Sequence, residues 1–254
     1  MVLAIDIGNT HTVIGCFEDD KVLFIERVST NLTATDLEYA SVIKMALHIH
    51  EVSSSVIEGA IISSVVPTVT NTLKRAIEKY AGVKVTVVGP GVKTGLSIHI
   101  DNPAQLGSDL VVDAVAGINS YSVPQIIVDM GTATTFSVID KNKNYVGTLI
   151  TTGMSISADA LTSHTSQLPR IAFERPGSVI GKNTVDSMKS GIMYATASAI
   201  DGIVERIEEE LGEACTVIAT GGMSRAVIPL CKRDITVDDE LLLKGLMIIY
   251  KKNK

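Results

Sequence analysis

The chain opens on a short apolar run, Val2–Ile5, that gives way to polar residues within "AIDIGNTHT". Such a run predicts a buried strand, and Asp6 and Gly8 mark where it ends. Apolar positions resume, pass a polar turn at residues 18–21 and continue into a third strand. The same pattern returns at residues 125–150, "QIIVDMGTATTFSVIDKNKNYVGTLI". Again an apolar strand is followed by Asp-x-Gly, hydroxyl residues, a second strand, a polar turn (residues 140–144) and a third strand. Each half of the chain is thus predicted to begin with a three-stranded meander whose first turn carries an aspartate, Asp6 or Asp129.

The rest of each half alternates in the same way. After the first meander the periodicity predicts a helix over Ala34–His50, a strand over Gly59–Val66, a helix over Val69–Ala81 and a strand over Val83–Val88. Apolar residues at Val111, Val112, Val115 and Ile118 then predict a helix with Ser108 near its N-cap. After the second meander come a long helix from Thr184 to Leu211, a strand over Cys215–Thr220, a short helix over Met223–Leu230 and a last helix near Leu241–Lys251. Strands alternating with helices predict an α/β fold with partly parallel, mixed sheets covered on their faces. Self-similarity on this scale predicts two like lobes, residues 1–115 and 116–254, with a small-molecule cleft between them.

Composition narrows the class. The 254 residues are 46% hydrophobic and 20% charged, as in a globular chain with ample core. A net charge of -6, with no basic run, argues against a nucleic-acid partner. The longest apolar runs are too short for a membrane span. Cys16, Cys215 and Cys231 are scattered and form no CxxC, so reduced thiols and a cytoplasmic location are expected. The five histidines show no metal-binding spacing.

The two Asp-x-Gly turns carry the candidate chemistry. Glycine lets backbone approach a ligand closely, and Asn9, Thr10 and Thr12 add donors. One such turn is also ordinary punctuation. Two at matching positions point to paired grips on a phosphate chain. In "LGSDLVVDAVAGI" Asp109 and Asp113 are four apart and share one helix face; Asp113 is read as part of a solvated face. In "ATGGMS" Gly221 and Gly222 end a strand before a helix, and a double glycine there is by itself an ordinary strand-to-helix turn.

These residues resemble the actin, sugar-kinase and Hsp70 clan and, within it, the type III pantothenate kinases. The resemblance rests on "DIGNT" at 6–10, "GSDLVVDAV" at 107–115, "DMGTATT" at 129–135, "VIGKNTVDSMKSGI" at 179–192, "TGG" at 220–222 and the tail "GLMIIYKKN". It implies duplicated actin-like (ribonuclease H-like) lobes and ATP-dependent phosphorylation of pantothenate, the first step toward coenzyme A. It also implies a homodimer, magnesium with ATP, and a monovalent cation, potassium or ammonium. By resemblance Asp6 holds the magnesium, directly or through water. Gly8, Asn9, Thr10, His11 and Thr12, with Gly131 and Thr132, contact ATP phosphates, and Gly221 and Gly222 lie at the nucleoside. Asp129 ligates the monovalent cation; a turn carboxylate capping local amides is the alternative. Asp109 accepts the proton of the substrate hydroxyl, and Gly107, Ser108, Leu110, Ile100 and Thr184 line the pantothenate site. Lys182 is read as a phosphate or surface lysine.

Two positions depart from the family pattern. An aromatic is usual where this chain has Ile100, and an arginine where it has Leu110. ATP binding is therefore expected on firmer ground than the acceptor. A kinase for another small alcohol and a nucleotide-binding regulatory relative of the same fold are the alternatives.

Overall fold

A computed structural model describes all 254 residues, Met1–Lys254. In chain order the first half comprises β1 (Val2–Ile7), β2 (His11–Glu18), β3 (Lys21–Ser29), α1 (Asp36–Ile49), β4 (Gly59–Ser64), α2 (Pro67–Ala81) and β5 (Val85–Val87). A two-residue strand β6 (Ser97–Ile98) precedes α3 (Ser108–Ser120). The second half comprises β7 (Gln125–Met130), β8 (Ala133–Ile139), β9 (Asn144–Thr152), α4 (Met154–His164), α5 (Thr184–Leu211), β10 (Thr216–Thr220), α6 (Ser224–Val227), β11 (Thr236–Val237) and α7 (Leu241–Asn253).

The predicted duplication is present in five strands of each sheet, and β6 is an addition to the second. One sheet has the order β3-β2-β1-β4-β5, and the other β11-β10-β7-β8-β9-β6. In each, an antiparallel meander is extended on its first strand by parallel pairing, β1 with β4 and β7 with β10. Both sheets are mixed, as expected.

The chain divides into two compact units. One holds Met1–Leu96, Asp101–Ala116 and Leu241–Lys254, and the other Ser97–Ile100 and Gly117–Glu240. This differs from a contiguous division at 115/116, chiefly because the last helix returns to the first sheet. Leu243, Leu246 and Ile249 of α7 join Val2, Ala4, Phe17 and Ile61 in one core cluster, with Val112 and Val115 of α3. Small residues admit this helix. A Cβ at Gly15 would lie 2.9 Å from Leu243 Cδ1, and one at Gly245 would lie 2.1 Å from the Val112 carbonyl oxygen. Burial of α7 thus rests on glycines distant in sequence, and the repeat pattern carries no trace of it.

In the first unit β1 sends alternate side chains to opposite faces. Leu3, Ile5 and Ile7 pack with Ile43 and Leu47 of α1 and with Leu73 and Ile77 of α2. Val2 and Ala4 face the α3 and α7 cluster, and by the same alternation Asp6 follows them at the strand's end. In the second unit Ile126, Val128 and Met130 pack with Met193, Ala197, Ile200 and Val204 of α5. Asp129 therefore falls on the opposite face of its sheet. Helix α5 is bounded by Asn183, whose side chain accepts from the Asp186 amide, and by Gly212 in a left-handed conformation at φ 71°. The cap is thus Asn183, and Thr184 is the first helical residue, because the amide oxygen of Asn183 reaches the free N–H three residues on.

Candidate functional site

In the first unit the polar end of β1 is a tight hairpin. Gly8 N donates to the His11 carbonyl at 3.0 Å, and Thr30 pins the turn by donating to the Gly8 carbonyl at 2.7 Å. Asn9, Thr10 and His11 are exposed at the tip. Thr12 differs from its neighbours: it is fully buried, and its hydroxyl lies 3.0 Å from that of Thr30. It supports the turn from beneath. Gly8 likewise spends its N–H on the hairpin, and what it offers a ligand is the absence of a side chain.

Asp109 reaches the same sheet edge through Ser108. In the parallel pairing Asp6 is level with Ser63, and Ile7 with Ser64. Ser108 Oγ accepts from Ser64 N at 3.0 Å, donates to the Ser64 carbonyl at 2.9 Å and lies 3.1 Å from Ser63 Oγ. The first turn of α3 is thus latched to β4, beside the strand that carries Asp6. The Ser108 hydroxyl is consumed by this latch. Asp109 follows it with its carboxylate half-buried; burial pushes its pKa above the ordinary aspartate value, and the Leu110 amide on Oδ1 at 2.9 Å opposes that rise. A Cβ at Gly107 would lie 2.4 Å from Asp109 Oδ1, so glycine there gives the carboxylate its room.

The reading of Asp113 is corrected by the structure. It is 1% exposed, within an unbroken buried run from Leu110 to Ala116. Helix α3 is buried all round over these residues, so it has no solvated face there. Leu110, 7% exposed, is part of the same run.

In the second unit the turn after β7 corresponds to the first but is one residue shorter. Gly131 N donates to the Ala133 carbonyl at 3.0 Å, and Gly131 and Thr132 are exposed. Asp129 is level with Thr135 on β8 and Thr220 on β10. The chain leaves β10 through Gly221 at φ +89°, where a Cβ would lie 2.6 Å from Asp129 Oδ1 and 2.7 Å from Met130 backbone atoms. The structure therefore brings Asp129 and Gly221 together, and Gly222 follows exposed. Ser224 holds this turn, its hydroxyl donating to the Gly221 carbonyl at 2.8 Å. No cluster of three or more His, Cys, Asp or Glu side chains forms a metal cage anywhere in the chain.

Thr184 lies in a different setting, on an open cavity of about 920 Å³ lined by β8, β9, α4, α5 and the segment entering α5. Ile100, half-buried, follows β6 in this same unit. Helix α4 and this cavity have no counterpart among the sequence expectations. Of the residues lining it, only Lys182 is charged.

Two like mixed sheets, each with an aspartate at the end of its first strand and a glycine turn beyond, define an actin-like ATPase fold. The structure of the Acidaminococcus fermentans (R)-2-hydroxyglutaryl-CoA dehydratase component A shares this fold, with a TM-score of 0.60 at 14% identity over 100% of this chain and 99% of that one. The model of the family described as type III pantothenate kinase matches residues 2–206. A type III pantothenate kinase of an Exiguobacterium species is 46% identical over 100% of both chains. Another, from Bacillus cytotoxicus, is 45% identical over 100% of this chain and 97% of its own. The chain belongs to the type III pantothenate kinase family, kinases that phosphorylate pantothenate in coenzyme A biosynthesis.

Proposed function

We propose that this chain carries out the family's reaction with Asp109 as the group that accepts the proton of pantothenate's primary hydroxyl. The observation that carries this is the half-buried carboxylate of Asp109, placed by the Ser108 latch and held by the Leu110 amide on Oδ1. An alcohol is far too weak an acid to ionise near neutral pH, so a placed acceptor assists its attack on a phosphoryl group. Asp6 holds magnesium supplied with ATP. The exposed tips at Asn9, Thr10 and His11, and at Gly131 and Thr132, take the phosphates. Asp129 faces a monovalent cation, potassium or ammonium, and the open backbone at Gly221 and Gly222 accepts the nucleoside. The ions would offset charge on the phosphate oxygens.

The functional protein is a homodimer in this reading. Leu149, Ile150, Ile156, Leu161, Val179 and Ile180 are all 39–78% exposed in one unit, on β9, α4 and the segment before α5. Apolar side chains exposed in such number suit a second copy better than water. Sedimentation of the purified protein checks this; a monomer at micromolar concentration would refute it.

Asp109→Asn tests the assignment of the base. The variant keeps the shape of the side chain and removes the charge that accepts a proton. Phosphorylation of pantothenate should nearly vanish while calorimetry reports ATP binding unchanged; full turnover would show that another group is the acceptor. The buried hydrocarbon of Leu110 beside Asp109 favours, as a second reading, a different small alcohol. ADP release across a panel of alcohols that includes pantothenate separates the two.

A further inference from the structure

The sheet of the first unit has a second polar end, away from the turn that follows β1. Strands β1 and β4 run parallel, from Val2 and Gly59 to Ile7 and Ser64. The Ser64 end carries the Ser108 latch, and the Gly59 end lies the length of β4 away, roughly 16 Å at the usual strand rise. There the edge strand β5 and the last turn of α7 border a small pocket of about 230 Å³. Its lining is Glu58, Lys84, Thr86, Tyr250, Asn253 and Lys254, all of the first unit.

Three of these side chains are committed. Glu58 is paired with Lys254 at 3.0 Å and with the Met1 amine at 3.4 Å. Asn253 is spent on the chain beside it: Oδ1 accepts from Lys93 N, and Nδ2 donates to the carbonyls of Lys93 and Ile249. Lys84, Thr86 and Tyr250 make no side-chain hydrogen bond or ion pair. Their placement is nevertheless fixed. The Ala60 amide donates to the Lys84 carbonyl at 3.2 Å, and Thr86 pairs with Ile61 in the sheet. A Cβ at Gly59 would lie 2.1 Å from the Tyr250 hydroxyl oxygen, so that hydroxyl rests on the backbone of β4. Burial raises the Tyr250 pKa above its ordinary value, with the Lys254 ammonium opposing the rise, and the phenol stays a donor at neutral pH.

Small-molecule sites span roughly 300–1,000 Å³, so a pocket below that range suits an ion or a single functional group. Glu58 is answered by two cations, which leaves the ammonium of Lys84 as excess positive charge. The uncommitted set is one ammonium and two hydroxyls, all donors to an anion. A carboxylate presents two oxygens in one plane, whereas a phosphate group presents three or more around a tetrahedron. We propose that this pocket binds a phosphate group, free or carried on a small organic molecule, through Lys84, Thr86 and Tyr250. The proposal stands apart from the kinase reading, because the pocket lies at the end of β4 opposite Ser64. With Tyr250 on α7 and Lys84 and Thr86 at β5, the bound group ties the last helix to the edge of the first sheet.

The test is calorimetry and amide NMR on the full-length protein, titrated with inorganic phosphate at constant ionic strength so that screening does not change. Amide shifts should move at residues 84–86 and 250–254. Lys84→Gln and Tyr250→Phe should each raise the Kd about ten- to a hundredfold, the worth of a hydrogen bond to a charged group. Both should leave kcat and the KM for ATP near wild type. Glycerol phosphate forms a second arm: tighter binding than inorganic phosphate supports a carried phosphate, and weaker binding supports the free ion. Acetate bound as tightly as phosphate would overturn the choice of anion. No heat and no shift in the wild type, shifts confined to residues 8–12 and 131–132, or a Kd unchanged in both variants would each overturn the proposal and leave the kinase reading untouched.

Discussion

The first strands of the two sheets, β1 and β7, are alike in length, burial pattern and pairing, yet their aspartates are finished by different means. Beside Asp6, the parallel neighbour β4 ends in serines that capture Ser108 and deliver Asp109 to the same edge. Beside Asp129, the parallel neighbour β10 gives way to Gly221, whose bare backbone lies against the carboxylate. One edge thus gains a second acidic group and the other gains empty space. Duplication supplied equivalent positions, and the residues at the end of each parallel strand, Ser63 and Ser64 in β4 and Gly221 just past β10, decided their chemistry. A proton acceptor is needed only where the alcohol reacts, whereas close backbone approach suits a nucleotide.

The largest effect should follow from removing what the first edge alone possesses. Asp109→Asn is expected to lower kcat about 10²- to 10⁴-fold, the usual contribution of a general base. Because burial raises the Asp109 pKa, the acid limb of the wild-type kcat/KM profile should lie above the ordinary aspartate range. The sign follows from the role: the carboxylate accepts a proton only when ionised, so rate is lost as pH falls through the raised value. Retention of that limb in Asp109→Asn would assign it to another group.

The second edge should break next. Gly221→Ala places a methyl 2.6 Å from Asp129 Oδ1 and 2.7 Å from Met130 backbone, at φ +89° where L side chains are strained. Strain of this kind costs about 1–3 kcal/mol, read as a lower urea midpoint, and weaker ATP binding should accompany it. Ser108→Ala should cost less, about 1 kcal/mol for an unsatisfied amide at Ser64 that water can partly reach. Its signature is kinetic: kcat should fall with KM for ATP unchanged, because the latch sets where Asp109 stands. A fall in stability with full kcat would make Ser108 structural only.

The edges could be read in advance, whereas the connections between elements could not. Strands of period two and the repeated Asp-x-Gly located both turns, and the long helix begins and ends where its pattern says, at Thr184 and Leu211. Helix α4 was hidden because "MSISADALTSH" buries only Met154 and Ala158 and so shows little periodicity. Asp113 misled because acidic residues usually face water, and nothing local announces a helix buried all round. The return of α7 depends on Gly15, Gly59 and Gly245 making room, which is a tertiary fact.

The smallest effect compares the two turns directly. A Cβ at Gly8 would lie 3.1 Å from the His11 carbonyl oxygen, tighter than an ordinary contact, whereas one at Gly131 would lie 3.6 Å from the Ala133 carbonyl oxygen and 3.9 Å from Asp129 Oδ2. Neither glycine has a positive φ. Replacing glycine by alanine where the backbone permits it stabilises by about 0.4–1 kcal/mol, through the entropy lost from the unfolded chain. Gly131→Ala should therefore raise the urea midpoint slightly, while at Gly8 the tight carbonyl contact should cancel the gain. If both turns grip phosphate, however, each methyl intrudes where a ligand must approach, and both variants should bind ATP more weakly. Gly131→Ala that is more stable yet poorer in ATP binding would separate the two demands on this glycine. Unimpaired ATP binding in both variants would reduce the turns to punctuation and leave the phosphates to other groups.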